Sequence, residues 1–503
     1  MNNTSTHEVD KIIKSLKCKD SHRYDEVSTR ILRYSAPFII SPITHIINRV
    51  LASGIFPDRC KFSEVMPLYK KGDKTNLSNY SPISLLTAFS KIIEKIIYKR
   101  LYQHLNKNEV LVKEQFGFRD NSSTDMATYD LLNTVLLSLD RKLIVGGVFC
   151  DLQKAFDCVD HNILLDKLKF YGITGSTYKL LRSYLHNCFQ RVLLKDETGK
   201  RTSEWALMKN GVPQGSILGP LLFLVYINDL SLVINDIAKV ILFADDTSII
   251  ISNSNIVEFQ NNFKLVMEQT IIWLESNFLS LNFNKTHFLQ FLSKKRNASL
   301  PPIIVSNSIN SNINSTRFLG LTIDCLLSWN DHISNLTSKL NKACYAVRAL
   351  VPFMSPSVIR IVYFSYFHSV MLYGIIFWGN ANLYVNIFKI QKRIIRIMNR
   401  KSKRDSCRDL FKQWKILTFS SQYIFSLLLF VVGHKDLFTE NSDVHDLNTR
   451  FQHDLHLPST SLTLVQRGVL HSGSKIFNHL PHHIKKHSNN FKLLKSKLKT
   501  FFT

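Results

Sequence analysis

Lys239-Val240-Ile241-Leu242-Phe243-Ala244-Asp245-Asp246-Thr247-Ser248-Ile249-Ile250-Ile251 is the stretch on which the fold turns. Two short apolar, β-branched runs flank an acidic pair, the pattern of a hairpin with Asp245 and Asp246 at its tip. Adjacent carboxylates among Phe243, Ala244 and Ile249 are costly without a compensating cation. A second run, Leu143-Ile144-Val145-Gly146-Gly147-Val148-Phe149-Cys150-Asp151, is continuously apolar and ends in an acid. A buried strand that delivers a side chain to its C-terminal edge reads this way. If the two strands are neighbours in one sheet, Asp151, Asp245 and Asp246 converge. Three such carboxylates suit two Mg²⁺ ions roughly 3.5–4 Å apart, gripping the attacking and leaving oxygens of a phosphoryl transfer. An Asp-Asp pair in an exposed turn has the same local sequence, so the pair by itself does not decide.

Between the acids lies Asn210-Gly211-Val212-Pro213-Gln214-Gly215-Ser216-Ile217-Leu218-Gly219-Pro220. Its glycines let backbone approach a ligand, Gln214 both donates and accepts hydrogen bonds, and the apolar run Leu221 to Leu230 supplies a helix. Upstream, apolar spacing predicts helix over residues 8–57, a polar loop from Lys70 to Tyr80, and an amphipathic helix from Ser84 to Leu105. Residues 306–315 read as a polar loop. From about 330 the pattern is almost entirely helical, which puts a break near 325 and the chain in the α+β class.

The 503 residues carry 64 Lys+Arg against 38 Asp+Glu, a formal net charge of +26. That excess implies a polyanionic partner, nucleic acid first and an anionic membrane surface second. The eight cysteines form no CxxC, which fits a reducing compartment. The start, MNNTSTHEVDK, lacks a signal-peptide pattern, and Tyr423 to Gly433 is about half a bilayer span, so a soluble chain is expected. Lys389, Arg393, Arg396, Arg400 and Arg404 recur at spacings of four and three, which places them on one helix face, as a track for phosphates or as a solvated basic face. After Asp454 no acid occurs while eight Lys/Arg do. The C-terminal histidines, such as His434, His445, His453 and His456, lack partner cysteines, and no zinc is expected.

The ordered series Asp151-Leu152-Gln153-Lys154-Ala155-Phe156-Asp157, Gly211-Val212-Pro213-Gln214-Gly215-Ser216 and Phe243-Ala244-Asp245-Asp246 resembles motifs A, B and C of reverse transcriptases. The flanking text more closely resembles that of the non-LTR retrotransposon class, the jockey-like elements. Supporting matches are Pro67-Leu68-Tyr69-Lys70-Lys71-Gly72-Asp73, Gln115-Phe116-Gly117-Phe118-Arg119, Leu279-Ser280-Leu281-Asn282 with Lys285-Thr286, Phe318-Leu319-Gly320 and Gln391-Lys392-Arg393. The resemblance implies a right-hand polymerase of fingers, palm and thumb with a mostly helical C-terminal region. Residues 1–50 would be a helical extension, 51–325 fingers and palm, and 326–503 the thumb and basic tail. It further implies extension of a DNA primer on an RNA template with dNTPs and Mg²⁺, or Mn²⁺ in its place. By motif, Asp151, Asp245 and Asp246 would bind the metals, and Lys285 would protonate the departing pyrophosphate. Phe156 would exclude a 2′-hydroxyl, Gln214 and Gly215 would border the nascent pair, and Lys70 or Lys71 would meet the triphosphate. Phe318-Leu319-Gly320 would be the primer grip and the basic helix a thumb surface.

Two positions depart from the family. Ser81 stands where relatives carry an arginine that contacts the triphosphate, and serine lacks that planar charged fork. Arg23 stands where relatives carry glycine, and is strained if that position has positive φ. The alternative reading is therefore a catalytically impaired remnant that only binds nucleic acid. No room for an endonuclease is expected ahead of residue 60, so a separate endonuclease is an expected partner. No membrane, haem or flavin is expected, and the family's habits imply nucleus and cytoplasm.

Overall fold

The computed structural model describes residues 1–503 apart from 21–22, 198, 294–312, 445–451 and 503. Most of the expected 306–315 loop, together with Ser21, His22 and His445, lies outside the described residues. The chain divides into two compact units, Met1–Ser123 with Cys150–Ser248 and Lys264–Thr286, and Thr124–Phe149 with Ile249–Phe263 and His287–Thr503.

In the first unit, Ser5 caps the Thr6–Ser15 helix by accepting from the Glu8 amide, and Ser28 caps Thr29–Ser53 through the Ile31 amide. Hydroxyls there satisfy amides that no intrahelical carbonyl reaches. The long helix stops at Gly54, whose φ of +71 only glycine adopts freely. Strands β1 (Phe62–Tyr69) and β2 (Tyr80–Leu86) pair antiparallel, with Ser81 opposite Leu68. The turn between them is the expected Lys70–Tyr80 loop. β1 runs parallel to β4 (Cys188–Asp196), which also pairs with β5 (Gly199–Thr202) and β6 (Ala206–Met208). The helix predicted from Ser84 begins later, at Ala88, and runs to Lys107. Ser84, Leu85 and Leu86 belong to β2, and Thr87 is the cap, accepting from the Ser90 amide. Arg23 is not among the residues with positive φ; Glu26, at +57, takes that conformation, so the feared strain does not arise.

β7 (Lys239–Phe243) and β8 (Asp246–Asn253) lie on either side of the acidic pair, and β3 (Ile144–Cys150) pairs antiparallel with β9 (His287–Phe291). The acidic pair thus sits where the hairpin pattern put it. β3 is buried along nearly its whole length, as its unbroken apolar run requires. Gly146 faces the Phe288 and Phe259 rings, which a Cβ would meet at 2.6 and 2.8 Å.

The second unit is mostly helical after β10 (Ser315–Phe318) and β11 (Leu321–Asp324). Its helices Asn330–Leu350, Tyr384–Met398 and Phe419–Gly433 bury Leu340, Val347, Ile390, Ile394, Leu427 and Leu428. The apolar Phe419–Gly433 segment is a core helix, as its length suggested. Among the described residues no single helix is long and apolar enough to cross a membrane.

Candidate active site

Asp151 follows directly on β3 and is clamped by the segment 280–286. Its carbonyl accepts from the Asn282 amide (2.8 Å), its own amide reaches Thr286 Oγ1 (3.4 Å), and the Gln153 amide donates to the Ser280 carbonyl (2.9 Å). A turn in which the Lys285 and Thr286 amides both donate to the Asn282 carbonyl throws Lys285 back over the strand end. Lys285 Nζ lies 3.3 Å from Asp151 Oδ2 in a solvent-accessible pair.

The two hairpin acids feel Asp151. Burial first, and then the charge of Asp151, push Asp245 above the usual carboxylate range, while Lys70 pulls the other way. Asp246 is pushed up to about 6 by burial, then by Asp245 and Asp151. Its side chain keeps solvent access, so crowding by protein on one side and by carboxylates on the other sets the shift. Such a cluster favours a proton or a cation. Among the described residues no three His, Cys, Asp or Glu side chains are already drawn together into a metal cage. The acids share one electrostatic field, and Lys285 is the cation that pairs with one of them. Lys70 and Lys71 both stand exposed, and the charge of Lys70 acts on Asp245.

The loop after Asp151 and the glycine loop are laced together. The Val212 amide donates to the Phe156 carbonyl and the Gly211 amide to the Val159 carbonyl, each at 2.8 Å. Gln214 Nε2 donates to Asp157 Oδ1 (3.1 Å), and the Ser84 amide donates to the Gln214 carbonyl (2.7 Å). Gly215, at φ +124, passes so close to β2 that a Cβ would sit 2.7 Å from the Ser84 carbonyl oxygen. The Phe156 ring is half-buried and stacks on Phe223 with centroids 4.5 Å apart.

Residues 69–323 match the family model described as reverse transcriptase (RNA-dependent DNA polymerase). The chain belongs to the reverse transcriptase family. It is of the LINE type. It is 30% identical to the probable RNA-directed DNA polymerase from transposon BS of Drosophila melanogaster, over 77% of this chain and 44% of that protein. It is 28% identical to the RNA-directed DNA polymerase from the mobile element jockey of the same fly, over 65% of this chain and 36% of that protein. The chain thus spans less than half the length of these curated relatives. Among solved structures, apo telomerase from Candida tropicalis aligns with 80% of this chain and 73% of its own at 14% identity, with a TM-score of 0.40. The α+β composition is the expected one, and the right-hand polymerase class follows from the family.

Within the second unit of this reverse transcriptase, the Phe318-Leu319-Gly320 match forms the β10–β11 turn, with Leu319 at φ +44 and Gly320 at +85. The Phe318 ring points into the core against Phe149, and Tyr373 donates its hydroxyl to the Leu319 carbonyl. Lys389, Arg393 and Arg396 do lie on one helix, but it ends at Met398. Arg400 follows in a left-handed conformation (φ +53) and Arg404 in the loop beyond, so the single basic helix face does not extend to them. Folding back nonetheless brings Arg400 into a cleft of about 990 Å³ with Lys389, Arg393 and Arg396. Arg348, Lys392, Lys401 and Lys403 complete a lining without any acid, whereas Arg404 is not part of it.

Two groups in the first unit were not singled out from sequence. Glu94 is fully buried and accepts from the Ile217 amide (2.7 Å), Tyr184 Oη (3.1 Å) and Ser90 Oγ (3.4 Å), anchoring the end of the glycine loop. Burial pushes it up to about 7 against those hydrogen bonds. Gln115, 2% exposed, accepts beside the hairpin turn. Their partners at Ile217 and Ala244 lie more than a hundred residues away in sequence, so only the matched segment Gln115-Phe116-Gly117 offered any signal.

Proposed function

We propose that this chain is an RNA-directed DNA polymerase of a non-LTR retrotransposon, extending a primer 3′-hydroxyl with dNTPs on an RNA template. The single observation that carries the reading is the mutual field of Asp151, Asp245 and Asp246 in a member of the reverse transcriptase family. Asp151, Asp245 and Asp246 fit divalent cations by their chemistry, since carboxylates that raise one another's proton affinity are relieved by a hard cation. Mg²⁺, or Mn²⁺ in its place, would supply neutralisation of the charge that builds on the attacking and departing oxygens.

The remaining roles belong to side chains of this chain. Lys285, held against Asp151, is placed to give a proton to the leaving pyrophosphate. Lys70, close enough to act on Asp245, is the better placed of the two lysines for the triphosphate, which it would meet as a point charge. Phe156, backed by Phe223, would close the space a 2′-hydroxyl needs. Gln214, oriented by Asp157, and Gly215, packed on β2, would form the floor under the nascent pair. In this reading residues 51–325 are fingers and palm and 326–503 thumb and basic tail. The turn at Leu319-Gly320 would touch the primer, and the eight-cation cleft would follow nucleic-acid phosphates. A separate endonuclease and residence in nucleus and cytoplasm complete the proposal.

Primer extension on a primed RNA template with dNTPs and Mg²⁺ tests it. The reading expects extension by the parent. Ser81 in β2 offers the triphosphate no charged fork, so a Ser81→Arg variant is expected to lower the KM for dNTP. Silence in both proteins, with template binding intact, would refute the polymerase reading and leave a nucleic-acid-binding remnant.

A further inference from the structure

We propose that Gln115 is a positioning residue for the hairpin turn that presents Asp245 and Asp246, holding it through one carboxamide oxygen. The proposal rests on the polymerase reading for its effect on rate, and on geometry for the brace itself.

Segment 114–116 lies alongside β7. The Leu242 amide donates to the Glu114 carbonyl and the Phe116 amide to the Leu242 carbonyl, each at 2.8 Å, with a parallel bridge between Gln115 and Leu242. That register brings the buried Gln115 side chain to the turn, where its Oε1 accepts from the Gly117 amide (2.8 Å) and from the Ala244 amide (3.0 Å). Ala244 has φ +57, a conformation that a residue with a Cβ adopts only when its surroundings impose it. Gly117 closes the other side: a Cβ there would stand 2.3 Å from the Ala244 nitrogen and 2.9 Å from the Phe243 carbonyl carbon. The turn is thus gripped by an acceptor and backed by a glycine that leaves no spare room.

The other end of the same carboxamide sharpens the argument. Gln115 Nε2 is buried and has no partner among the described residues. An unpaired buried donor destabilises a fold, and an apolar side chain of the same length would avoid it. Rotating the amide by half a turn would instead aim its NH₂ at two backbone donors. The amide therefore sits in the orientation that serves Ala244, and its orphaned end is the consequence of that service. Asp245 is the next residue along, so any slackening of Ala244 moves the acids directly.

The test compares Gln115→Met, which keeps length and removes the acceptor, with Gln115→Glu, which keeps an acceptor oxygen, and Gly117→Ala, which pushes on the turn. Single-nucleotide incorporation is expected to fall about 10–100-fold in kcat for Gln115→Met and Gly117→Ala. Template–primer affinity and the KM for dNTP should stay within about threefold, and Gln115→Glu should recover most of the rate. Hydrogen exchange of the peptide spanning 239–250 is read in parallel, with the Ala244 amide protected in the parent and released in Gln115→Met. Unchanged kcat in a folded Gln115→Met, or a parent Ala244 amide that exchanges like an open loop, would overturn the brace. The exchange reading needs no variant and no activity. A parent that fails to extend primers would instead sink the polymerase reading, while exchange still decides the brace.

Discussion

Glu94 should make the first unit less stable as pH rises through neutrality, and replacing it by glutamine should abolish that dependence. The carboxyl is fully buried and pushed from 4.5 to about 7, chiefly by burial, with the Ile217 amide, Tyr184 and Lys91 opposing. The folded state therefore holds this proton more tightly than the unfolded state does. Its contribution is present in full below the unfolded value and is lost as pH rises through the folded one. At about 1.4 kcal/mol per pH unit, the loss between pH 5 and pH 8 comes to between about 2 and 3 kcal/mol. Cys60 and Cys188, which share this field, are pushed up to about 12 and about 11 and do not titrate in that window. Glu94→Gln keeps an acceptor for the Ile217 amide and cannot ionise, so the difference between variant and parent isolates this one group. For a folding unit of this size about 2–4 °C accompanies each kcal/mol. The melting temperature of Glu94→Gln relative to parent should climb by roughly 5–10 °C from pH 5 to pH 8. Parallel melting curves across that range would refute the reasoning, because they would mean that Glu94 ionises as an exposed carboxylate does.

Gly215→Ala combines a φ of +124 with a Cβ 2.7 Å from the Ser84 carbonyl oxygen; chemical unfolding should show a loss of about 1–3 kcal/mol, and the KM for dNTP should rise. Phe156→Val removes a ring stacked at 4.5 Å on Phe223 and should raise incorporation of ribonucleotides relative to deoxynucleotides, as competition assays would read. Charge neutralisation of Lys389, Arg393 and Arg396 in the basic cleft should weaken template binding alike for all sequences. It should also flatten the plot of log affinity against log salt by about 0.9 for each phosphate that the cleft no longer neutralises, as anisotropy titrations would show.

The hairpin around Asp245-Asp246 and β3 were legible because their signals are local: alternating or continuous β-branched runs with acids at the ends. The runs Leu221 to Leu230 and Tyr423 to Gly433 read as helix for the same reason, and the helices found there span Leu218–Ile227 and Phe419–Gly433. The start of the Ala88–Lys107 helix was misplaced because Ser84-Leu85-Leu86 continues its apolar pattern, and only Thr87, a cap, marks the change from strand to helix. The basic stripe was overextended because charge spacing does not register a helix end, which here is an asparagine followed by a left-handed Arg400. Glu94 is one charge among several in Lys91-Ile92-Ile93-Glu94-Lys95, yet it is fully buried. Its meaning depends on Ile217, as that of Gln115 depends on Ala244, and hydrogen bonds at such separations leave no pattern in a single chain. The order of the motifs follows the family, while what holds their acids in place is set by hydrogen bonds and close packing in the folded chain.

The most direct measurement is single-nucleotide incorporation into a primed RNA template in Mg²⁺ by the parent and by an Asp245→Asn, Asp246→Asn variant that melts within a few degrees of it. Both side chains keep nearly their shape, while the charge that responds to Asp151 is removed. The account predicts incorporation by the parent and none by the variant, with template–primer affinity unchanged between them. Equal incorporation by both would place the chemistry away from this carboxylate cluster and contradict the account.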